Sequence, residues 1–488
     1  DKFDLVIMNP PFTRATGRVS EEFKEGEKGL FGFISEKKYR EKLLKRFNEI
    51  RSSVREDMKN ITRDLAKREN LPDAVKEIIN GKKEFKQYLG IGQAGEGLLF
   101  LYLAYKYVKP GGMIAFVLPR GVLSGVSWFL ARSLLASKFH VNYAIVSSDA
   151  ENGYNFSENT SLSEALIVAR RVEKHDPGEE TVFVTLRRKP RGAMEAVLLA
   201  EKIMEGVPSD AEVMRVGRAD LLRNLDNWGQ FTAFNDAKLI NDAMSIMRGN
   251  VCGINVPITL LGNVIKTMGI NRAQFHDYFE PTSSETPYPV LFGGGEEVRI
   301  SMAVRHNMFA RPKSSRAGDA FNTYAGNILV PERVWVDTAH VIALYSNEPL
   351  LSNIFYATRL KCSNADKALV AWLNTTWGLM TILAKREETR GPYISLTITQ
   401  WRLLPVLDIC SLSSDKLSEL AGIFDKYSNK IQFRRIPEQY SGDSNRLNFD
   451  LDFLRALSPA INEDKARLCI TDIYRKLDIA LKTWTGHR

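Results

Sequence analysis

Asp4-Leu5-Val6-Ile7-Met8-Asn9-Pro10-Pro11-Phe12 is the stretch on which the reading of the fold turns. Four consecutive apolar residues behind an acid are the pattern of a parallel strand covered on both faces, which has no solvent side to make polar. Asn-Pro-Pro ends it. Proline donates no ladder hydrogen bond and fixes its own φ, and the first proline restricts Asn9 to extended conformations. The chain then leaves the sheet in a stiff loop at the strand's carboxyl end, the edge where open α/β sheets place ligands. A loop that is merely stiff has the same spelling, so the flanking sequence decides between the two.

Beyond this loop the chain alternates between helix and strand. Gly95 to Tyr107 reads as an apolar helix, stopped by Pro110-Gly111-Gly112, and Met113 to Pro119 as a second buried strand. A helix over about Trp128–Ser137, a strand at Val141–Val146, a loop with Asn155-Phe156 and a strand at Ala165–Ala169 complete a doubly wound α/β pattern.

This order, an Asn-Pro-Pro-Phe loop, Pro-Gly-Gly, a strand ending in Leu-Pro, a Phe-containing loop and a last strand, resembles the later half of the adenine-N6 DNA methyltransferases of restriction systems. The resemblance covers about residues 1–171 and implies a Rossmann-like methyltransferase sheet. It also implies roles. Asn9 and the Pro10 carbonyl accept hydrogen bonds from the amino group of a flipped-out base, Pro11 helps fix the loop, and Phe12 stacks on the base. The chemistry accounts for these residue types: an amino group conjugated to a ring is a poor nucleophile until its two N–H bonds are held and its lone pair is localised. Phe156 falls where the family has a second base-contacting residue; a core phenylalanine is the alternative, and both stay open.

The resemblance also implies S-adenosylmethionine as methyl donor, yet the family's Asp-x-Phe-x-Gly-x-Gly turn is not found before Asn9. The later Phe292-Gly293-Gly294-Gly295-Glu296 lacks the preceding acid and runs into a β-like stretch, so it reads as a turn. The expectation is a chain that starts within the catalytic domain, with the cofactor pocket largely outside it, and that is inactive and binds the donor poorly by itself.

The 488 residues leave room for roughly two to four domains. Lys plus Arg number 67 against 58 Asp plus Glu, a net charge of +9 that suits a polyanionic partner without requiring one. No run of apolar residues is long enough to span a membrane. Cys252, Cys362, Cys410 and Cys469 show no metal spacing and are expected to be reduced thiols of a cytoplasmic protein. Leu43, Phe47, Ile50, Val54, Met58, Ile61 and Leu65 recur at helical steps inside an insertion over about 17–93, and the stripe calls for burial.

A connector is expected over 176–212, with a strand at Thr181–Leu186, a basic run Arg187-Arg188-Lys189-Pro190-Arg191 and a helix at Ala193–Met204. From 213 to 410 the pattern is mixed α/β. Leu261 to Ile265 with Gly269-Ile270-Asn271-Arg272, then Leu369 to Thr381, Gly391 and Ile398 to Val406, resemble the opening and the end of target-recognition domains in type I and fused restriction-methylation enzymes. Double-stranded DNA is the partner so implied, with restriction or specificity subunits as further partners. Lys266, Arg272, Arg299, Arg305, Arg311, Lys313 and Arg316 are the candidate DNA contacts, though any one is as readily a surface charge. Helices close the chain from 411 to 488, with Leu417, Leu420, Phe424, Tyr427 and Ile431 on one face.

The functional expectation is a site-specific DNA adenine-N6 methyltransferase of a restriction-modification or defence system, without a metal. Two alternatives remain: a DNA specificity module that no longer turns over, and a methyltransferase of RNA or of protein glutamine, which use the same four-residue loop.

Overall fold

The computed structural model describes residues 2–11, 36–91, 94–149, 151–157, 162–206, 209–293, 296–387, 393–430 and 432–485. Phe12, Gly391 and Ile431 lie outside the described residues. The chain is mixed α/β and divides into two compact units, Asp1–Ala237 with Glu387–Gly391, and Lys238–Arg386 with Pro392–Arg488.

The first unit is built on a six-stranded sheet. Its strands are β1 (Phe3–Met8), β2 (Val108–Pro119), β3 (Phe139–Ser147), β4 (Glu164–Arg171), β5 (Glu180–Leu186) and β6 (Ala211–Gly217), in the order β1-β2-β4-β3-β5-β6. The pairs β1–β2 and β3–β5 are parallel; β2–β4, β3–β4 and β5–β6 are antiparallel. Consequently the carboxyl ends of β1, β2 and β3 and the start of β4 share one edge of the sheet. The helices are α1 (Lys37–Arg68), α2 (Asp73–Ile79), α3 (Gly97–Tyr107), α4 (Gly121–Ser124), α5 (Phe129–Lys138) and α6 (Ala193–Glu205). The core gathers on β2 to β4, where Ile114, Phe116, Leu118, Ala144, Val146, Ala165 and Ile167 are fully buried, and on α5, buried along nearly its whole length.

β1 departs from expectation. It pairs in parallel with β2 as its apolar run requires, but it is not covered: Phe3, Leu5 and Ile7 are 54%, 54% and 72% exposed. These alternate residues share one face, and β1 has a single strand neighbour among the described residues, so its other edge carries unpaired backbone groups. The stripe on α1 is also only partly buried. Val54, Met58 and Leu65 are buried, whereas Leu43 and Ile50 are 39% and 47% exposed.

The expected connector turns out to be structural. β5 lies inside it, β6 begins in its last residues, and both extend the six-stranded sheet, with Val182, Val184, Leu186, Ile203 and Ala211 forming an apolar cluster between these strands and α6. The basic run between two amphipathic elements hid this, because alternation over seven residues does not tell which sheet a strand joins.

The second unit carries an eight-stranded sheet. Its main path runs Ile265–Met268, Phe355–Leu360, Gly326–Pro331, Leu344–Ser352, Pro289–Leu291, Met308–Pro312, Phe279–Thr282, and Ala303–Val304 pairs with Leu344–Ser352. The helices Asp366–Asn374, Ser414–Lys430, Ser444–Leu457 and Glu463–Thr485 belong to the same unit. Asn374, in the Leu-Asn pair noted in the sequence, is buried. It accepts from the Ile342 and Ala343 N–H groups at 2.7 and 3.3 Å and donates to the Ala343 and Val370 carbonyls at 2.7 and 2.9 Å. Arg446 and Asp450 clamp the following turn: Asp450 accepts from the Thr376 N–H at 3.1 Å and the Tyr474 hydroxyl at 2.6 Å.

The four cysteines are not free thiols. Cys252 bonds to Cys469 and Cys362 to Cys410, with Cα atoms 5.7 and 5.5 Å apart. The partners lie 217 and 48 residues apart in sequence, so no spacing rule could pair them; the fold brings them together.

Candidate functional site

The loop after β1 sits at the shared sheet edge. Pro10 is buried and Asn9 is exposed. Pro10 is seated beside the amino end of α3, where a Cβ on Gly97 would approach Leu118 and Trp128 to 3.1 Å each and Pro10 to 3.7 Å. A side chain there would press on Leu118 and Trp128, while its distance to Pro10 is that of ordinary contact. The Asn9 amide nitrogen donates to the Ser157 hydroxyl at 3.0 Å. Neither the Asn9 side-chain oxygen nor the Pro10 carbonyl accepts a hydrogen bond among the described residues. Among the described residues, then, the loop carries two acceptors without a donor and is stiffened by two prolines.

The segment that meets Asn9 follows β3 and is tightly organised. Asp149, 4% exposed, accepts from the Glu151 and Asn152 N–H groups at 3.1 and 2.9 Å, and from the Asn152 side chain and the Lys189 N–H at 2.8 and 2.9 Å. Burial works against its charge, but these donors, the Lys189 N–H foremost, prevail and hold its carboxyl below the ordinary value. Further along, Glu164 at the start of β4 is fully buried. One of its oxygens accepts from the Phe156 and Ser157 N–H groups at 2.6 and 2.8 Å. Lys189 also donates its ammonium to the Asn155 carbonyl at 2.7 Å. The Phe156 ring, partly buried, packs against the apolar cluster of Val182, Val184, Leu186, Ile203 and Ala211.

Ser157, Glu164 and Asp149 were not singled out by the sequence, and Lys189 only as part of the basic run Arg187–Arg191. An acid immediately ahead of the apolar run Ala165–Ala169 was the one local signal for Glu164. Nothing local connects Ser157 to Asn9, which are 148 residues apart.

In the second unit, Lys266, Arg272, Arg305, Arg311, Lys313 and Arg316 are all exposed. No carboxylate pairs with any of the six among the described residues. Arg311 lies on Met308–Pro312 opposite Glu280; the Lys313 ammonium donates to the His276 carbonyl at 2.8 Å; Arg272 opens the helix Arg272–Tyr278; Arg316 precedes the helix Ala317–Tyr324. Lys266 is on the strand at the opposite end of the sheet path from Phe279–Thr282. Arg299 is corrected: it is 8% exposed, its guanidinium stands 5.6 Å from the Phe355 ring centre, and burial lowers its pKa. A side chain so enclosed does not reach a nucleic acid.

Gly293 has φ +99°, and its N–H donates to the Asn353 side chain at 3.0 Å, as a turn residue does. Among the described residues, no group of three or more His, Cys, Asp or Glu is arranged to hold a metal ion. None of the described helices is long and apolar enough to cross a membrane.

No family model matches the chain, and no curated protein matches it. Solved structures do. The type IIG restriction endonuclease BpuSI is similar over 84% of this chain and 51% of its own, at 12% identity and a TM-score of 0.36. The type IIL restriction-modification enzyme MmeI, solved in complex with DNA, is similar over 78% and 52%, at 12% identity and a TM-score of 0.37. A type I restriction-modification methyltransferase subunit from Streptococcus thermophilus matches over 30% and 33%, at 18% identity and a TM-score of 0.23. The chain thus spans about half the length of the first two. None of these matches assigns a role to a residue here.

Proposed function

We propose that the chain is the acceptor-side part of a site-specific DNA adenine-N6 methyltransferase of a restriction-modification or defence system. One observation carries this: at the carboxyl end of β1, neither the Asn9 side-chain oxygen nor the Pro10 carbonyl accepts a hydrogen bond among the described residues. Two acceptors on adjacent residues match the two N–H bonds of an exocyclic amine. Holding both draws the nitrogen towards tetrahedral geometry and localises its lone pair, and a preset loop does so without reorganising during the reaction. Pro11 continues the stiff segment, and Phe12 supplies the stacking face. The sheet is read as the carboxyl-terminal half of a doubly wound methyltransferase sheet, and the second unit as the recognition part, with its exposed cations towards DNA phosphates and bases.

S-adenosylmethionine supplies the methyl group. The described part of the Gly293 turn does not fit its adenosine and methionine: the Gly293 N–H goes to the Asn353 side chain, and Glu296–Arg299 is a short 3-10 turn rather than a full helix.

The test is transfer from radiolabelled S-adenosylmethionine to unmethylated genomic DNA by the full-length gene product and its Asn9→Ala variant, with the product nucleoside identified. N6-methyladenine from the unsubstituted protein alone is expected. Sequence-preferring DNA binding without transfer would instead favour a specificity module, and methylation of RNA or protein glutamine in place of DNA would change the substrate.

A further inference from the structure

We propose that Ser157 and Glu164 are positioning residues for Asn9, an inference that rests on the acceptor role given to Asn9 above. A primary amide has an accepting end and a donating end that differ little in size, and an exposed one turns over freely. Turned the wrong way, Asn9 would offer N–H to the N–H bonds of an amine and repel it. In the observed orientation the Asn9 nitrogen donates to the Ser157 hydroxyl at 3.0 Å, which anchors the amide with its oxygen as the end that has no donor among the described residues.

Ser157 can do this only if its own backbone is fixed, and Glu164 fixes it. This carboxylate opens β4 opposite Pro119, at the sheet edge where β1 also ends, and it takes the N–H groups of Phe156 and Ser157 on one oxygen at 2.6 and 2.8 Å. Its other oxygen is buried with no partner among the described residues. An apolar residue would fill the space without that desolvation cost, so the carboxylate is not a packing filler. The Phe156 ring, packed against the β5–α6 cluster, and the Lys189 ammonium on the Asn155 carbonyl hold the same three-residue segment as well. The chain of constraint runs from the core through Glu164 to Ser157 and ends on the exposed Asn9 amide.

The experiment measures kcat, KM for DNA and melting temperature in the full-length protein. Ser157→Ala is expected to lower kcat about tenfold, as loss of one orienting hydrogen bond does, with KM within about twofold and melting temperature within about 1 °C. Ser157→Thr, which keeps the hydroxyl, returns kcat to within about threefold of the unsubstituted protein. Glu164→Gln keeps the volume but weakens the acceptor, and lowers kcat roughly threefold to tenfold with KM unchanged. An unchanged kcat in Ser157→Ala, where Asn9→Ala abolishes transfer, overturns the positioning role and leaves the reading of Asn9 intact. So does a loss that follows melting temperature and is not restored by threonine. If the unsubstituted protein transfers no methyl group to DNA, the reading of Asn9 fails and this inference falls with it.

Discussion

Replacing Arg132 by methionine tests how the structure seats the loop. Arg132 is fully buried on α5. Its guanidinium donates to the carbonyls of Leu225 at 2.9 Å, Val122 and Gly125 at 3.0 Å, and Asp226 at 2.7 Å. Burial pushes its pKa down to about 10, yet it stays charged near neutrality. These bonds tie 225–226 to the turn between β2 and α5, and Trp128, just before α5, packs at Gly97 beside Pro10. Hydrogen bonds from a charged donor contribute about 1.5–3 kcal/mol each, or roughly 6–12 kcal/mol gross for the set. Methionine recovers the several kcal/mol spent on desolvating the charge and fills much of the volume, which leaves a net loss of about 3 kcal/mol. In a unit of this size that lowers the melting temperature by about 6–12 °C. Scanning calorimetry reads it, with the second unit's transition as internal reference. A shift below about 2 °C would show that the bonds merely offset the burial of the charge, and would refute the reasoning.

Three other outcomes are expected. Asp149 has a carboxyl held below its ordinary value, so its contribution is present above that value and is lost as pH falls through the folded-state value. Between about pH 5 and pH 3 the unsubstituted protein should therefore lose melting temperature faster than Asp149→Asn, and parallel curves would contradict the network around it. Alkylation of the unfolded chain should label none of Cys252, Cys362, Cys410 and Cys469 without reductant and all of them after reduction; labelling without reductant would mean the pairs are not bonded. Replacing Arg311, Lys313 and Arg316 with alanine should weaken DNA binding and flatten its salt dependence by up to about 0.9 for each phosphate no longer neutralised, measured by fluorescence anisotropy. An unaltered salt slope would return all of them to ordinary surface charge.

Local pattern was enough for the elements that form from their own residues. The apolar run to Met8, the helix ending at Tyr107, the strand at Ala165 and the long amphipathic helix through Met58 were all legible, because period and punctuation are set within a few residues, though Pro110-Gly111-Gly112 lies inside β2 rather than ahead of it. So was the loop Asn9-Pro10-Pro11, whose stiffness is covalent. Burial was not legible where it depends on a neighbour: Ile7 reads as core and is exposed, since an apolar strand is buried only if something pairs and packs on its other side. Arg299 reads as a surface cation and lies under Phe355 for the converse reason. The disulfide partners, the joining of β5 and β6 to the first sheet, and the reach of Ser157 to Asn9 were decided by tertiary structure alone. Each depends on where distant segments end up in space, and loop closure over tens to hundreds of residues leaves no periodic trace in the chain.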